Sequence, residues 1–190
     1  MDPLYKTYKH PKSGMLLLSE PFLKDVYFSR SVVLLAEHNK EGTVGLILNK
    51  PIDVKLNTLL EDFPSFEARV YLGGPVKPNN LFYLHTLGNQ IENSVKVKEN
   101  LYFGGDVERI KELILLRKIT PADIKFFVGY SGWMPNQLND ELKESSWLIV
   151  DYKNHNLMQN TPYNLWKNIL RRMGDEYYTW SIAPIDPQLN

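Results

Sequence analysis

The run Gly129-Tyr130-Ser131-Gly132-Trp133 is where the chain comes nearest to a catalytic signature. A serine between glycines, after a predicted strand and before a predicted helix, approaches the Gly-x-Ser-x-Gly nucleophile elbow. The last position is Trp133, whose bulk a tight elbow does not accept. The plainer reading is a turn made by Gly129 and Gly132, with Ser131 bonded to nearby backbone. A serine nucleophile would also need an imidazole base. His38 and His85 each close a predicted strand and are the candidates. The same pair could be imagined as metal ligands, but no HExxH or comparable spacing supports that. We therefore assign no catalytic residue, no metal and no cofactor, and no enzyme activity is expected.

Two glycine turns come next. Backbone N–H groups at Gly73-Gly74-Pro75 or Gly104-Gly105-Asp106 could cradle an anion. Neither matches a nucleotide-binding glycine pattern, and Asp106 would repel a phosphate, so tight turns with a helix cap are expected. Arg30 opens a strand that reads as buried, so its guanidinium needs a partner or a ligand. Trp133 could wall a pocket. Asn49, Lys50 and Gln137 are further polar residues at predicted turns. If these turns converge, they build a pocket with polar groups on an apolar wall. The candidate ligand-binding set is thus His38, Asn49, Lys50, Gly73, Gly74, His85, Tyr130, Ser131, Trp133 and Gln137.

The elements that must position these residues can be read from hydrophobic pattern. Gly14 to Ser19 reads as a buried strand. Ser31–Ala36 and Thr43–Leu48 form a β-hairpin around the turn chemistry of Asn39 to Gly42. A short helix is expected over Lys55–Asp62. Strands follow at Arg69–Leu72 and Leu81–His85, then a polar loop over 88–95 and a strand at Leu101–Phe103. Asp106 is a good N-cap for a helix whose apolar residues Val107, Ile110, Leu113 and Ile114 recur at helical spacing. Ile124–Tyr130 reads as a strand, Ser131–Met134 as a turn, and Pro135 as the opening of a helix with Leu138 and Leu142 on its apolar side. Trp147–Val150 is a strand, and Leu165–Met173 a helix with Gly174 as its C-cap. Residues 1–12 read as a flexible arm and 13–190 as a single domain. Hairpins mixed with crossovers predict an α+β fold with a bent, mostly antiparallel sheet.

Composition narrows the function classes. The 190 residues contain no cysteine, which removes thiol nucleophiles, disulfides and cysteine-held metal sites. Lys+Arg and Asp+Glu are both 22, so the formal net charge is zero. A protein that lives on phosphate backbone normally carries a basic excess, so direct DNA contact is not expected. No signal-peptide pattern and no apolar run of membrane-spanning length is visible, and a cytoplasmic protein without membrane association is expected.

Several blocks together resemble the YqgE/AlgH family. They are Gly14-x-Leu16-Leu17-x-Ser19-x-Pro21, Phe28-x-Arg30-Ser31-Val32-Val33, and Glu37-His38-Asn39-x-x-Gly42-x-x-Gly45-Leu46-x-Leu48-Asn49-Lys50-Pro51. Leu72-Gly73-Gly74-Pro75-Val76, Phe82-x-Leu84-His85, Gly129 to Trp133, Gln137-Leu138, Glu141, Trp147-Leu148 and Leu165-Trp166 with Gly174 continue the pattern. The resemblance runs from about Gly14 to Gly174. It implies a bent, partly barrel-like sheet flanked by helices. It also implies a label, because the family is described as transcriptional regulators through the association of its AlgH member with alginate production. It marks no catalytic residues. This chain departs from the pattern at Ser19, where many members have Ala, and at Met134-Pro135-Asn136, where Gly is usual. Three functions stay open: a regulator acting through a protein partner without touching DNA, a small-molecule binder with its pocket at the His38, His85 and Tyr130 turns, and, least favoured, a Ser131-dependent hydrolase.

Overall fold

The computed structural model describes residues 5–60, 62–152, 157–159 and 162–184. Strands come first in chain order: β1 (Tyr5–Tyr8), β2 (Leu16–Ser19), β3 (Val32–Asn39), β4 (Gly42–Ile47) and β5 (Pro51–Ile52). After α1 (Leu56–Leu59) come β6 (Val70–Leu72), β7 (Val76–His85), β8 (Val95–Lys98), β9 (Leu101–Phe103) and α2 (Val107–Leu115). β10 (Ile124–Trp133), α3 (Gln137–Lys143), β11 (Trp147–Tyr152), α4 (Leu165–Arg172) and α5 (Asp175–Ile182) complete the described elements. The strands form one sheet in the order β1-β11-β2-β3-β4-β10-β7-β9-β8, with β6 on β10 and β5 on β6. Every ladder is antiparallel except β6 with β10. The sheet is bent and stays open, so the fold is α+β as the pattern implied. No helix among the described residues is long and apolar enough to cross a membrane.

Strand alternation explains why three cores coexist. In β2 and β3, Leu16, Leu18, Val32, Leu34 and Ala36 enter the largest core, which α4 covers. Their neighbours Leu17, Val33 and Leu35 enter a second core with Trp133 and Trp147. In β10, Phe127 joins the largest core, while Ile124 and Phe126 pack against α2 in a third. Both faces of the sheet are therefore covered, and the apolar runs of β2 and β3 follow from that.

β10 joins the two halves of the sheet. Its residues Ser131 to Trp133 pair with β4, and Phe126 to Val128 pair with β6. Between them the register with β7 shifts at Gly129, a bulge with φ of 67°. Bulges of this kind bend a strand from one sheet into another. The fit leaves no room for side chains: a Cβ on Gly73 would lie 2.1 Å from Gly129 O, and one on Gly129 would lie 2.4 Å from Gly74 O.

Several expectations change. Ser131 to Trp133 is strand, not turn, because the bulge at Gly129 takes up the bend that the glycines signal. Tyr5–Tyr8 lies within the stretch expected to be a flexible arm, yet it is an edge strand paired with β11. Exposed Lys6 suits such an edge. α1 spans only Leu56–Leu59 rather than Lys55–Asp62. The polar loop over 88–95 contains a 3-10 turn at Gly88–Gln90 and ends where β8 begins. β7 starts at Val76, five residues before Leu81, with an exposed polar first half. α4 ends at Arg172 with Met173 as its C-cap, and Gly174, φ 111°, stands between it and a further helix, α5.

Candidate functional site

The β3–β4 hairpin, the last residues of β10 and the start of α3 meet at one end of the sheet. Register places His38 opposite Thr43, and Thr43 opposite Trp133. Two rows further in, Leu35, Gly45 and Ser131 are aligned. A cleft of about 370 Å³ opens there, lined by Glu37, Glu41, Val44, Val76, Tyr130 and Met134. A smaller one of about 200 Å³ is lined by His38, Lys40, Pro135, Asn136, Leu138 and Asn139. Asn39, Gly42, Thr43 and Met134 line both clefts. His38, Tyr130, Trp133 and Gln137 from the candidate set thus gather around one hairpin.

Beneath the clefts lies a polar clamp. The indole N–H groups of Trp133 and Trp147 donate to one oxygen of Glu141, at 2.9 and 2.7 Å. Gln137 Nε2 donates to the other oxygen at 3.0 Å, and Gln137 Oε1 accepts from the Met134 N–H at 3.0 Å. Phe28 stacks on Trp133 with ring centroids 6.0 Å apart and meets Trp147 edge-on at 5.4 Å. Glu141 is absent from the sequence-derived set. Its one local signal is its place four residues after Gln137, which puts both on one helix face.

The rest of the set lies apart or is occupied internally. His85 is fully buried and pairs with Ile124. That is seven residues before Ser131 on β10, roughly 23 Å at strand rise. Its Nε2 faces Gly104 O at 3.0 Å, and its Nδ1 accepts from the Leu87 N–H at 3.2 Å. That fixes the neutral tautomer with the proton on Nε2. Burial holds this imidazole below its ordinary range, with the Gly104 bond opposing. Ser131 Oγ, also fully buried, donates to Gly73 O at 3.0 Å. His38 Nδ1 is 2.7 Å from Thr43 Oγ1. No serine–histidine pair is formed among these groups.

Asn49 is a backbone brace: its Oδ1 accepts from the Val32 N–H at 2.8 Å and its Nδ2 donates to Arg30 O at 2.9 Å. Lys50 Nζ donates to Tyr27 O, and burial lowers its pKa, with Asp25 opposing. Arg30 precedes β3 rather than opening it. Its partners come from the C-terminal segment: Ala183 O at 2.7 Å, Pro184 O at 2.6 Å, and the Trp166 ring at 5.3 Å. Gly73 and Gly74 serve the close backbone approach at the bulge. Among the described residues no group of three or more His, Asp or Glu is placed to hold a metal ion.

Comparison with known proteins covers nearly the whole chain. The family pattern described as AlgH-like matches residues 16–178. A UPF0301 protein of Parabacteroides distasonis is 43% identical over 182 residues, spanning 95% of this chain and 92% of its own. One from Cytophaga hutchinsonii is 44% identical over 178 residues, spanning 93% and 98%. The solution structure of the AlgH protein from Pseudomonas aeruginosa superposes with a TM-score of 0.72 at 26% identity, covering 90% of this chain and 94% of that one. A crystal structure of a Corynebacterium diphtheriae protein gives 0.75 at 21% identity over 92% and 93%, a likeness of fold alone.

Proposed function

This chain belongs to the AlgH-like family, and from that premise we propose that it is a binding protein without catalysis of its own, taking a small molecule in the 370 Å³ cleft beside the β3–β4 hairpin. The observation behind this is a contrast in commitment. Ser131 and His85 are buried and bonded to backbone, and His38 is bonded to Thr43. The cleft wall, by contrast, offers free surface. Tyr130, half-buried, lines it beside Val44 and Val76, and Met134 is 73% exposed. The volume falls within the range of small-molecule sites. Glu37 and Glu41 at the rim favour a ligand with an apolar body and a cationic group, and a thioether such as that of Met134 adapts to varied shapes.

A thermal-shift screen with amines, nucleosides and common metabolites tests this. A ligand at a hundred times its dissociation constant adds about 2.7 kcal/mol of stability. We expect a cationic ligand to raise the melting temperature, and Tyr130→Ala to abolish the shift. No shift with any ligand in the wild type would remove the small-molecule function.

A second function is regulation through a protein partner in the cytoplasm, without direct DNA contact. It is favoured by the neutral charge balance of 22 basic and 22 acidic residues and by the description attached to the resembling family. The same cleft could then receive a side chain of the partner. A gel-shift titration with duplex DNA should give no salt-sensitive complex. Such a complex would return the protein to the DNA-binding class.

A further inference from the structure

Away from the hairpin, β10 carries a lysine into the interior. Lys125 is 6% exposed and lies between Ile124 and Phe126, whose side chains turn to the opposite core. A buried ammonium ordinarily needs a carboxylate. Among the described residues Lys125 forms no ion pair. Its Nζ donates instead to the Tyr71 hydroxyl at 3.2 Å and sits 4.7 Å from the centre of that ring. The parallel pairing of Phe126 with Val70 brings Arg69 alongside, close enough for its charge to act on the Tyr71 hydroxyl. Two cations thus converge on one phenol. Burial, and after it the charge of Arg69, lowers the Lys125 pKa to about 8. Burial raises the pKa of Tyr71, against the pull of Arg69, so the phenol is no counter-ion.

Arg69 is the outer member of this chain of donors. It is exposed and lines a cleft of about 600 Å³ with Tyr163, Asp53, Lys55, Asn57 and Glu67. Although Asp53 and Glu67 share the cleft, Arg69 forms no ion pair with either. A guanidinium with free donors, backed by a second positive charge, lacks only an anion. Carboxylate and phosphate oxygens match the guanidinium fork in a bidentate manner.

We propose that the Arg69 side of this cleft binds a small molecule through a single oxyanion, a carboxylate or a phosphate group, with Arg69 as the direct contact and Tyr71 and Lys125 as positioning and charge-supplying residues behind it. Asp53 and Glu67 disfavour a polyanion there, and they supply acceptors for hydroxyl or amino groups on the rest of the ligand. This site is separate from the hairpin cleft and does not depend on it.

The full-length protein is titrated with inorganic phosphate and, separately, with acetate, at constant ionic strength against sodium chloride, and backbone amide shifts are followed by NMR. Saturable shifts in residues 66–71 and Tyr163 are expected. A response to phosphate alone assigns a phosphate-bearing ligand, and a response to acetate alone a carboxylate. Arg69→Met should abolish saturation with the fold intact. Lys125→Met should weaken binding about threefold or more, since it removes a charge from a low-dielectric position. If that variant does not fold, Tyr71→Phe, which removes the acceptor that positions Lys125 beside Arg69, should weaken it in the same direction. Shifts that do not saturate with either anion, or saturation that survives Arg69→Met, would overturn the site.

Discussion

The hairpin end and the β6–β10 junction treat buried charge in opposite ways. At the hairpin end, one carboxylate, Glu141, gathers donors from Trp133, Trp147 and Gln137, and the two rings pack around Phe28. Acceptors and donors there match. At the junction, Lys125 donates to the hydroxyl of Tyr71 with the charge of Arg69 close by, and no acid in the described residues forms an ion pair with either. The first arrangement holds structure together, and removing its centre leaves unsatisfied groups. The second works against the fold, and removing its buried charge relieves it. The clamp that stabilises the fold and the oxyanion site proposed at Arg69 therefore lie in different places.

The sharpest way to break this contrast is at Glu141. In Glu141→Ala, two indole N–H groups on residues that are each 5% exposed lose their acceptor. An unsatisfied buried donor costs about 1–3 kcal/mol, so a loss of roughly 3 kcal/mol is expected for the pair. Chemical denaturation measures it. A loss below about 1 kcal/mol would mean that water replaces the carboxylate and that this end is no better satisfied than the other.

The opposite sign is expected at Lys125. Its folded pKa of about 8 lies below its ordinary 10.5. Between those values the unfolded chain binds more protons than the folded one, so stability rises with pH through that window. The full gain is about 3 kcal/mol at 1.36 kcal/mol per pKa unit. Below pH 8 both states are protonated and the penalty stands in full. Lys125→Met should therefore be more stable than the wild type by about 2 kcal/mol at neutral pH, in line with replacement of buried charges by apolar groups. It should also lack the rise above pH 8. Urea titrations of both proteins from pH 7 to 10 read the two effects together, and a less stable Lys125→Met would erase the contrast.

What could be read beforehand follows the same division. The β3–β4 hairpin, α2 with its Asp106 cap accepting from the Glu108 N–H, and α4 rest on local patterns, and those patterns are in the chain itself. The strand through Ser131 was hidden because the meaning of Gly129 depends on Gly73 and Gly74, more than fifty residues away. Once β10 is continuous, His38, Tyr130 and Trp133 come to one hairpin while His85 is carried to the far end. Lys125 was hidden for a related reason. Between Ile124 and Phe126 it reads as the solvent side of an alternating strand. Only the packing that covers both faces of the sheet buries that position.

The smallest effect should lie on the rim of the hairpin end, at Asn136. It precedes α3 with φ of 66°, and its side chain makes no capping bond. A left-handed backbone there favours glycine, which adopts it without a Cβ penalty, and asparagine is among the few other residues that tolerate it. Asn136→Gly relieves that strain but adds freedom to the unfolded chain. The two nearly cancel, so a change within about 0.5 kcal/mol is expected. Asn136→Val, which is β-branched, should instead lose about 1 kcal/mol or more. Thermal melts of the two variants separate backbone from side chain. If glycine and valine behave alike, the left-handed turn is not maintained in solution. The route from β10 into α3 would then be soft, and the clamp at Glu141 would owe its stability to the tryptophans alone.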